Sequence, residues 1–329
     1  MLKFLLVILS IFMYNREIAK NLIHERGNMK QKTKTRPEQR LGYFMVLIAG
    51  CLWGTNGFFV SILNDLGVQS STVAFLRLAV AAVILAVMML IMEGKKLFKI
   101  DKYGLLACLA LGVFSQALFN YSYNEAIEHV GVALACILAY TAPIFVCIMS
   151  RLFFKEKIGP VKILALVVNI FGCVLTVTGG NFTSIKFSVY GAGAAVLAGF
   201  LFALMTIIST TTTSYHPLTI LFYSFVFGAV TLGAIARPWN AIAQAASLPL
   251  LFAVLGYCLI ATVGSYFVYL RGLAKKLETS KVPVVTSVET VVATCIGVFV
   301  FHEALGFVKL IGIALVLASI VIMNMVKPK

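Results

Sequence analysis

A nine-residue segment that occurs twice constrains this chain more than any other feature. Residues Phe154–Lys162 and Phe301–Lys309 lie 147 positions apart, and Phe, Glu, Gly, Val and Lys recur in register, so five of nine positions are identical. Each copy lies between two apolar runs that are long enough to cross a bilayer. The sequence therefore predicts two related halves built of membrane helices, an arrangement that is frequent in transporters.

The composition assigns the chain to the integral membrane proteins. Of its 329 residues, 61% are hydrophobic and only 12% are charged, about half the charge of a typical soluble domain. The net charge of +15 would suggest a nucleic-acid partner for a soluble protein, but here it reflects Lys and Arg in cytoplasmic loops, so no nucleic acid is expected. The seven cysteines lie within apolar runs without metal or disulfide spacing. We expect them to pack between helices, and we expect neither a metal nor a cofactor.

The apolar runs predict an all-α membrane protein with ten transmembrane helices arranged as two five-helix repeats. The first repeat is expected over residues 41–178 and the second over residues 187–326. The predicted spans are 41–63, 72–92, 104–122, 130–153, 159–178, 187–209, 217–236, 249–270, 282–301 and 306–326.

Residues 1–40 form a basic extension that we expect in the cytoplasm. Its apolar stretch Leu2–Tyr14 is too short to span comfortably, and no small-residue cleavage site follows it. The codons for the residues just before Met29 could form a ribosome-binding site. Translation therefore begins either at Met1 or at Met29, and in the second case residues 1–28 are not translated. N-terminal sequencing that found Met1 would end this hypothesis.

The basic residues predict the orientation of the chain. With both termini in the cytoplasm, all but four of the 27 Lys and Arg residues lie on the cytoplasmic side. The four are Arg77, within a span, and Lys186, Arg237 and Lys309, in outer loops. Because each half has an odd number of spans, the two halves insert with opposite polarity. The bias of charge inverts between equivalent loops accordingly, which predicts an inverted-topology repeat.

Several short motifs resemble the EamA family of the drug/metabolite transporter superfamily over residues 41–326. They are the segments Ala49–Gly54, Phe75–Arg77, Ala142–Ile144, Phe154–Gly159, Glu289 and Phe301–Gly306. The resemblance implies a ten-helix carrier that moves small metabolites or drugs across the cytoplasmic membrane of a prokaryote, often as export. It implies no ATP site, and the sequence contains no GxxxxGK[ST] motif. Where the family often has Glu-Pro in the ninth span, this chain has Glu289-Thr290, so a proline kink is not expected there.

Two charged residues within the predicted spans are the leading candidates for a functional site, because a charge in a bilayer is costly. Arg77 either attracts an anionic group of the substrate or snorkels outward to join helix ends. Glu289 either carries a coupling proton, since burial favours its protonated form, or makes a hydrogen bond between helices.

Further candidates are polar or aromatic residues near the middle of the spans. Trp53 lies away from the interfacial positions that are usual for Trp, so it stacks on a substrate or packs in the core. Pro143 is the hinge candidate, because proline interrupts the hydrogen bonding of a helix. The complete set predicted to line a substrate cavity comprises Trp53, Asn56, Arg77, Gln116, Asn120, Tyr140, Tyr266 and Glu289.

The sequence thus predicts a secondary transporter that works by alternating access. The partners expected are a small-molecule substrate, the lipid bilayer and either protons or a counter-substrate, and a homodimer is left open. A passive facilitator or channel is the first alternative. A membrane-embedded enzyme is the second, and it is disfavoured because Arg77 and Glu289 do not form a catalytic set.

Overall fold

The computed structural model describes residues 36–92, 94–181, 188–239, 241–242 and 247–325. All regular elements among these residues are helices, as the apolar runs predict. The basic extension lies outside them except for residues 36–40, and the hypothesis about translation from Met29 also lies outside them.

The helices of the first half follow one another with short connections. They are α1 (Arg36–Trp53), α2 (Asn56–Asp65), α3 (Ser70–Met92), α4 (Lys102–Ala110), α5 (Phe119–Ala139), α6 (Ala142–Phe154) and α7 (Pro160–Thr178). Those of the second half are α8 (Val189–Thr211), α9 (Pro217–Ala236), α10 (Leu248–Tyr257), α11 (Ser265–Leu273), α12 (Val282–Thr286), α13 (Val288–Phe299) and α14 (Phe307–Met325).

The two halves share irregularities of the backbone as well as sequence. A π-helical segment, Leu111–Leu118, joins α4 to α5, and a second one, Cys258–Gly264, joins α10 to α11. These segments begin 147 positions apart, which is the spacing of the sequence repeat. Because π-helical turns are rare and frequently occur at functional sites, their recurrence supports the two-repeat architecture.

A second shared irregularity is a break within a span. The helix of the first half breaks at Tyr140–Thr141, between α5 and α6, and that of the second half breaks at Ser287, between α12 and α13. Pro143 lies in the first turn of α6, where its missing N–H costs nothing. The proline therefore follows the break instead of bending a continuous helix. The second half has its break although Thr290 stands where the family often has proline, so proline is not needed for it.

Nine helical runs among the described residues are long and apolar enough to cross a membrane, where ten spans are expected. The difference arises because the predicted spans 104–122 and 130–153 lie in one run of 53 residues, Lys102–Phe154. A straight helix of that length would measure about 80 Å, against a hydrocarbon core of about 30 Å. Gly131 interrupts this run with φ 79° and ψ 163°, a conformation that glycine adopts readily.

The core lies between the halves, because helices of one half pack against helices of the other. The main pairs are α1 with α11, α3 with α9, α5 with α8, and α7 with α14. In the last pair the backbones touch, since a Cβ added at Gly312 would lie 2.5 Å from the Thr176 nitrogen. A Cβ added at Gly172 would lie 2.8 Å from the Val316 nitrogen. Small residues at such a crossing allow the close packing that holds membrane helices together.

Candidate functional site

Arg77 lies on α3 with its side chain buried between the halves. Only 7% of the residue is exposed, so the guanidinium does not snorkel to the surface. Its Nη2 donates a hydrogen bond to Asn120 Oδ1 at 3.4 Å, and its Cζ lies 5.7 Å from the centre of the Tyr257 ring. Its Nε is buried and has no hydrogen-bond acceptor among the described residues. The guanidinium therefore retains donor capacity that a carboxylate or another anionic group would satisfy.

Gln116 and Tyr266 extend this polar cluster across the interface between the halves. Gln116 lies in the first π-helical segment, and its backbone carbonyl accepts a hydrogen bond from Asn120 Nδ2. Its side-chain Oε1 accepts one from the Tyr266 hydroxyl at 3.4 Å. The structure thus brings together Arg77, Asn120, Gln116 and Tyr266, four of the eight residues predicted to line the cavity.

Trp53 ends α1 and joins the cluster through its ring. The Trp53 ring lies 5.1 Å from the ring of Tyr266 and 5.1 Å from that of Tyr269. Only 5% of Trp53 is exposed, which leaves little of its face for a substrate. Of the two roles considered for Trp53, the packing role therefore has the stronger support in its burial.

An aromatic chain leads from Trp53 towards Glu289. Phe202 lies 6.3 Å from the Trp53 ring, Phe119 lies 6.0 Å from Phe202, and Tyr123 stacks on Phe119 at 5.9 Å. Tyr123 in turn lies close enough to Glu289 for an electrostatic interaction. Four rings in pairwise contact, from Trp53 to Tyr123, thus extend from the cluster around Arg77 towards the acidic residue.

Glu289 lies in the first turn of α13, directly after the break at Ser287. Its carboxylate makes no hydrogen bond or ion pair with any described residue, although it is only partly exposed. Tyr140 and Cys136 lie within electrostatic range of it. Glu289 does not pair with Arg77, whose neighbours are Asn120 and the aromatic residues. An acid without a partner inside a membrane protein is a group that can bind and release a proton.

Asn56 begins α2 and does not join the polar cluster. Its Oδ1 atom is buried and accepts no hydrogen bond from the described residues. The break between α1 and α2 that positions Asn56 packs on the helix of Glu289, because a Cβ added at Gly54 would lie 2.8 Å from the Glu289 carbonyl oxygen. An unsatisfied buried amide oxygen in this place is a candidate acceptor for a substrate or for water.

Asn169 is a buried polar residue that the sequence analysis missed. Its Nδ2 donates to Ser287 Oγ at 2.6 Å and to Ser319 Oγ at 2.9 Å. Each serine hydroxyl gives its own proton to the carbonyl three residues earlier in its chain, so its oxygen is free to accept. The amide thereby joins α7 and α14 to the break in front of Glu289. A lone asparagine in the middle of an apolar span was the available signal.

A separate cavity of about 410 Å³ lies at the helix ends near Arg271. It is lined by Ser209, Thr212, Thr213, Ser214, Tyr215, His216, Pro217, Ile220, Leu270, Arg271 and Ala274. None of the eight residues predicted to line a substrate cavity is among them. No group of three or more His, Cys, Asp or Glu side chains that could hold a metal occurs in the described part of the chain.

The class of the protein follows from its match to a protein family. The EamA-like transporter family matches residues 40–178 and, a second time, residues 189–325. The chain belongs to the EamA-like transporter family. It is therefore a multi-pass membrane transporter of the drug/metabolite transporter superfamily, and its substrate is a small molecule.

Several curated relatives match over more than half of this chain. An uncharacterised inner membrane transporter, YicL of Salmonella typhimurium, is 26% identical over 295 residues, which are 87% of this chain and 96% of the relative. An uncharacterised transporter of Archaeoglobus fulgidus is 26% identical over 284 residues, which are 86% and 96% of the two chains. The pseudopaline exporter CntI of Pseudomonas aeruginosa is 28% identical over 189 residues, which are 56% and 63%.

A solved crystal structure has the same fold as this EamA-like transporter. The TM-score is 0.72 at 15% identity, and the match covers 86% of this chain and 96% of the other. The agreement over nearly the whole of that chain supports the two-repeat architecture.

Proposed function

We propose that this transporter is a secondary carrier that exports small organic metabolites, such as amino acids or related compounds, or drugs. It works by alternating access through a cavity between two inverted five-helix repeats. The observation that carries this proposal is the buried guanidinium of Arg77, which is only partly satisfied and lies at the interface of the halves.

The cost of burying a charge explains why this observation points to a substrate. A guanidinium in the interior of a membrane protein is expensive, and a purely structural one would be expected to have a carboxylate partner. Arg77 instead has the Asn120 amide and the ring and hydroxyl of Tyr257 as neighbours, none of which carries a full negative charge, and its Nε donor is free. An anionic group on a small organic solute would complete its hydrogen bonds, and the aromatic residues around it suit an apolar body.

The membrane topology proposed has ten crossings, with both termini in the cytoplasm of a prokaryote. The distribution of Lys and Arg supports this orientation. The length of the run Lys102–Phe154 supports two crossings there, with the reversal near Gly131. Reporter fusions after Gly67, after Gly131 and at the C-terminus test it, and a cytoplasmic signal from the Gly131 fusion would contradict it.

Glu289 is the proposed site of proton coupling, and export is the proposed direction. The carboxylate has no described partner that would hold it permanently charged, and it keeps some accessible surface. The name of the relative CntI as an exporter supports the direction. In this scheme, exchange of a proton for substrate at the interface of the halves drives the cycle.

Transport into proteoliposomes tests both the function and the coupling residue. The probes are labelled amino acids and cationic dyes, measured with and without an outward proton gradient, in vesicles whose lumen is more acidic than the medium. Glu289→Gln keeps the shape of the side chain and removes the titration, and Glu128→Gln is the matched control on an exposed glutamate. We expect accumulation of one class of probe that depends on the gradient, is abolished by Glu289→Gln and is unchanged by Glu128→Gln.

Two other results would change the proposal. Transport that is indifferent to both the gradient and Glu289→Gln would make Glu289 structural and the protein an exchanger or a facilitator. Counterflow then separates a carrier from a channel, because only a carrier accumulates labelled substrate against unlabelled substrate. Absence of transport for every probe would contradict the proposed substrate classes.

A further inference from the structure

The two copies of the repeated segment have the same backbone conformation. Lys155 and His302, at equivalent positions, are both left-handed, with φ of 55° and 54°. The N–H of Glu156 donates to the Ser150 carbonyl at 3.3 Å, and the N–H of Glu303 donates to the Gly297 carbonyl at 3.0 Å. Each pair of residues is separated by 147 positions. The two segments therefore form the same turn, one after α6 and the other after α13.

The glutamate of the first copy is bound to the other half of the protein. The Glu156 carboxylate accepts hydrogen bonds from Thr279 N at 2.6 Å, from Ser280 N at 3.0 Å and from Ser280 Oγ at 2.6 Å. These N–H groups open the helical segment that leads into α12. The carboxylate thus caps the start of the broken span that carries Glu289.

The lysine of the first copy reinforces the same contact. Lys162 Nζ donates to Ser280 Oγ at 3.1 Å and pairs with Glu278 at 3.2 Å, and Lys281 pairs with Glu278 at 2.9 Å. Lys162 and Lys281 are only 3% and 2% exposed. We call this arrangement, made by Glu156 and Lys162 on residues 278–281, the first clasp. It is closed in this structure.

The equivalent residues of the second copy are not bound across the halves. Glu303 and Lys309 pair with each other at 2.9 Å, and 53% of the Glu303 side chain is exposed. By the repeat spacing, the segment that corresponds to residues 278–281 is Gly131–Leu134. The helix starts again after the break at Gly131. The N–H groups of Val132 and Ala133 are then the first of this helix, and they correspond to those of Thr279 and Ser280 in the first clasp.

We propose that Glu303 is a gating residue of the transport cycle and that Lys309 holds it in the present state. In the alternative state, the first clasp opens and Glu303 leaves Lys309 to accept hydrogen bonds from the N–H groups of Val132 and Ala133. This second clasp closes the opposite end of the pathway. The inference rests on the proposed alternating access, because inverted repeats exchange their conformations when such a carrier changes state.

The second clasp has fewer polar partners than the first. Gly131 stands where the first clasp has Glu278, and Ala133 stands where it has Ser280. Lys309 therefore has no acidic partner on that segment, and Glu303 finds no hydroxyl. Fewer charge-assisted hydrogen bonds stabilise the state that it closes, so the resting equilibrium favours the state with the first clasp closed.

Lysine modification in the full-length protein, reconstituted in vesicles, reports the state of the first clasp. Formaldehyde with cyanoborohydride methylates accessible lysines, and mass spectrometry gives a rate for each. Lys162 and Lys281 are the reporters, and the exposed Lys155 and Lys157 are internal standards. The proteins compared are wild type, Glu156→Gln, Glu303→Gln, the double variant and the control Glu128→Gln.

The effects of Glu156 and Glu303 on the modification rates should depend on each other. Glu156→Gln should speed modification of Lys162 and Lys281 by about tenfold, the effect of weakening a charged hydrogen-bond network. Adding Glu303→Gln should return the rates towards those of wild type, because the competing clasp is also lost. Glu303→Gln alone, at an exposed side chain, should slow the modification of both reporter lysines, and Glu128→Gln should not.

Two results together would overturn the gating role of Glu303. The double variant would show the same modification rates as Glu156→Gln, and Glu303→Gln alone would have no effect. Counterflow of an identified probe, measured on the same vesicles, separates this failure from a failure of the proposed function. If transport occurs but the effects of the two glutamates are independent, only the gating role of Glu303 is contradicted. If the effects of the two glutamates on the modification rates depend on each other but no transport occurs, the exchange of clasps is supported and the proposed carrier function is contradicted.

Discussion

Arg77 donates a hydrogen bond to Asn120 and makes no ion pair or hydrogen bond with Glu289, the other leading charged candidate. Neither residue therefore neutralises the other, and they occupy separate places between the halves. This separation allows one to bind an anionic group and the other to exchange a proton. It also leads to opposite expectations for stability and for transport when Arg77 is replaced.

Replacing Arg77 by Met should abolish transport without lowering stability. The change removes a buried charge that has no carboxylate partner, so the thermal midpoint in detergent should stay the same or rise. Arg77→Lys keeps the charge but not the forked donor, and it should raise KM about tenfold. Arg151→Lys, at an exposed arginine in the last turn of α6, is the control. A fall in the thermal midpoint with transport intact would mean that Arg77 is structural.

Replacing Trp53 by Leu should mainly lower stability. The ring is 5% exposed and contacts the rings of Tyr266 and Tyr269 at 5.1 Å. Loss of these contacts and the cavity that remains should cost about 3 kcal/mol, measured by reversible unfolding in mixed micelles. Trp239→Leu, at a residue that is 60% exposed, should cost less. An unchanged stability with a higher KM would instead assign Trp53 to substrate stacking.

Replacing Asn169 by Leu should loosen the break in front of Glu289. The change removes two hydrogen bonds to serines on other helices and should cost about 1 to 2 kcal/mol in the same assay. Asn324→Leu is the matched control, because Asn324 is exposed and bonds only within its own helix. Equal effects of the two variants would contradict the joining role of Asn169.

Replacing Gly312 by Ala should separate α7 from α14. The new Cβ would lie 2.5 Å from the Thr176 nitrogen and 2.8 Å from the Gly172 carbonyl oxygen, so the backbones must move apart. The expected cost is about 1 to 3 kcal/mol. Gly193→Ala, at a helical glycine with open space around it, should be neutral or slightly stabilising. Tolerance of Gly312→Ala would show that the crossing is looser than described.

Much of the architecture could be predicted from the sequence because lipid imposes a simple rule on the backbone. Long apolar runs must be helical, and the repeat at Phe154–Lys162 and Phe301–Lys309 required two related halves. The matching π-helical segments and left-handed residues could not be predicted, because they have no signature in composition or periodicity. The predicted spans 104–122 and 130–153 lie in one helical run, and where that run is interrupted depends on the non-helical backbone angles of a single residue, Gly131, which no periodicity reveals.

The sequence by itself determined which polar residues are exceptional, since a charge or an amide in an apolar run is evident without coordinates. Only the tertiary structure decided how they are grouped. Arg77, Tyr266 and the neighbouring pair Gln116 and Asn120 come from three helical runs that meet through packing between the halves, whereas Glu289 makes no hydrogen bond with any of them. The same holds for Glu156 and Glu303, which share a local sequence and backbone but differ in partners. Such contacts depend on the relative position of the halves, which is what changes in alternating access and what no local pattern encodes.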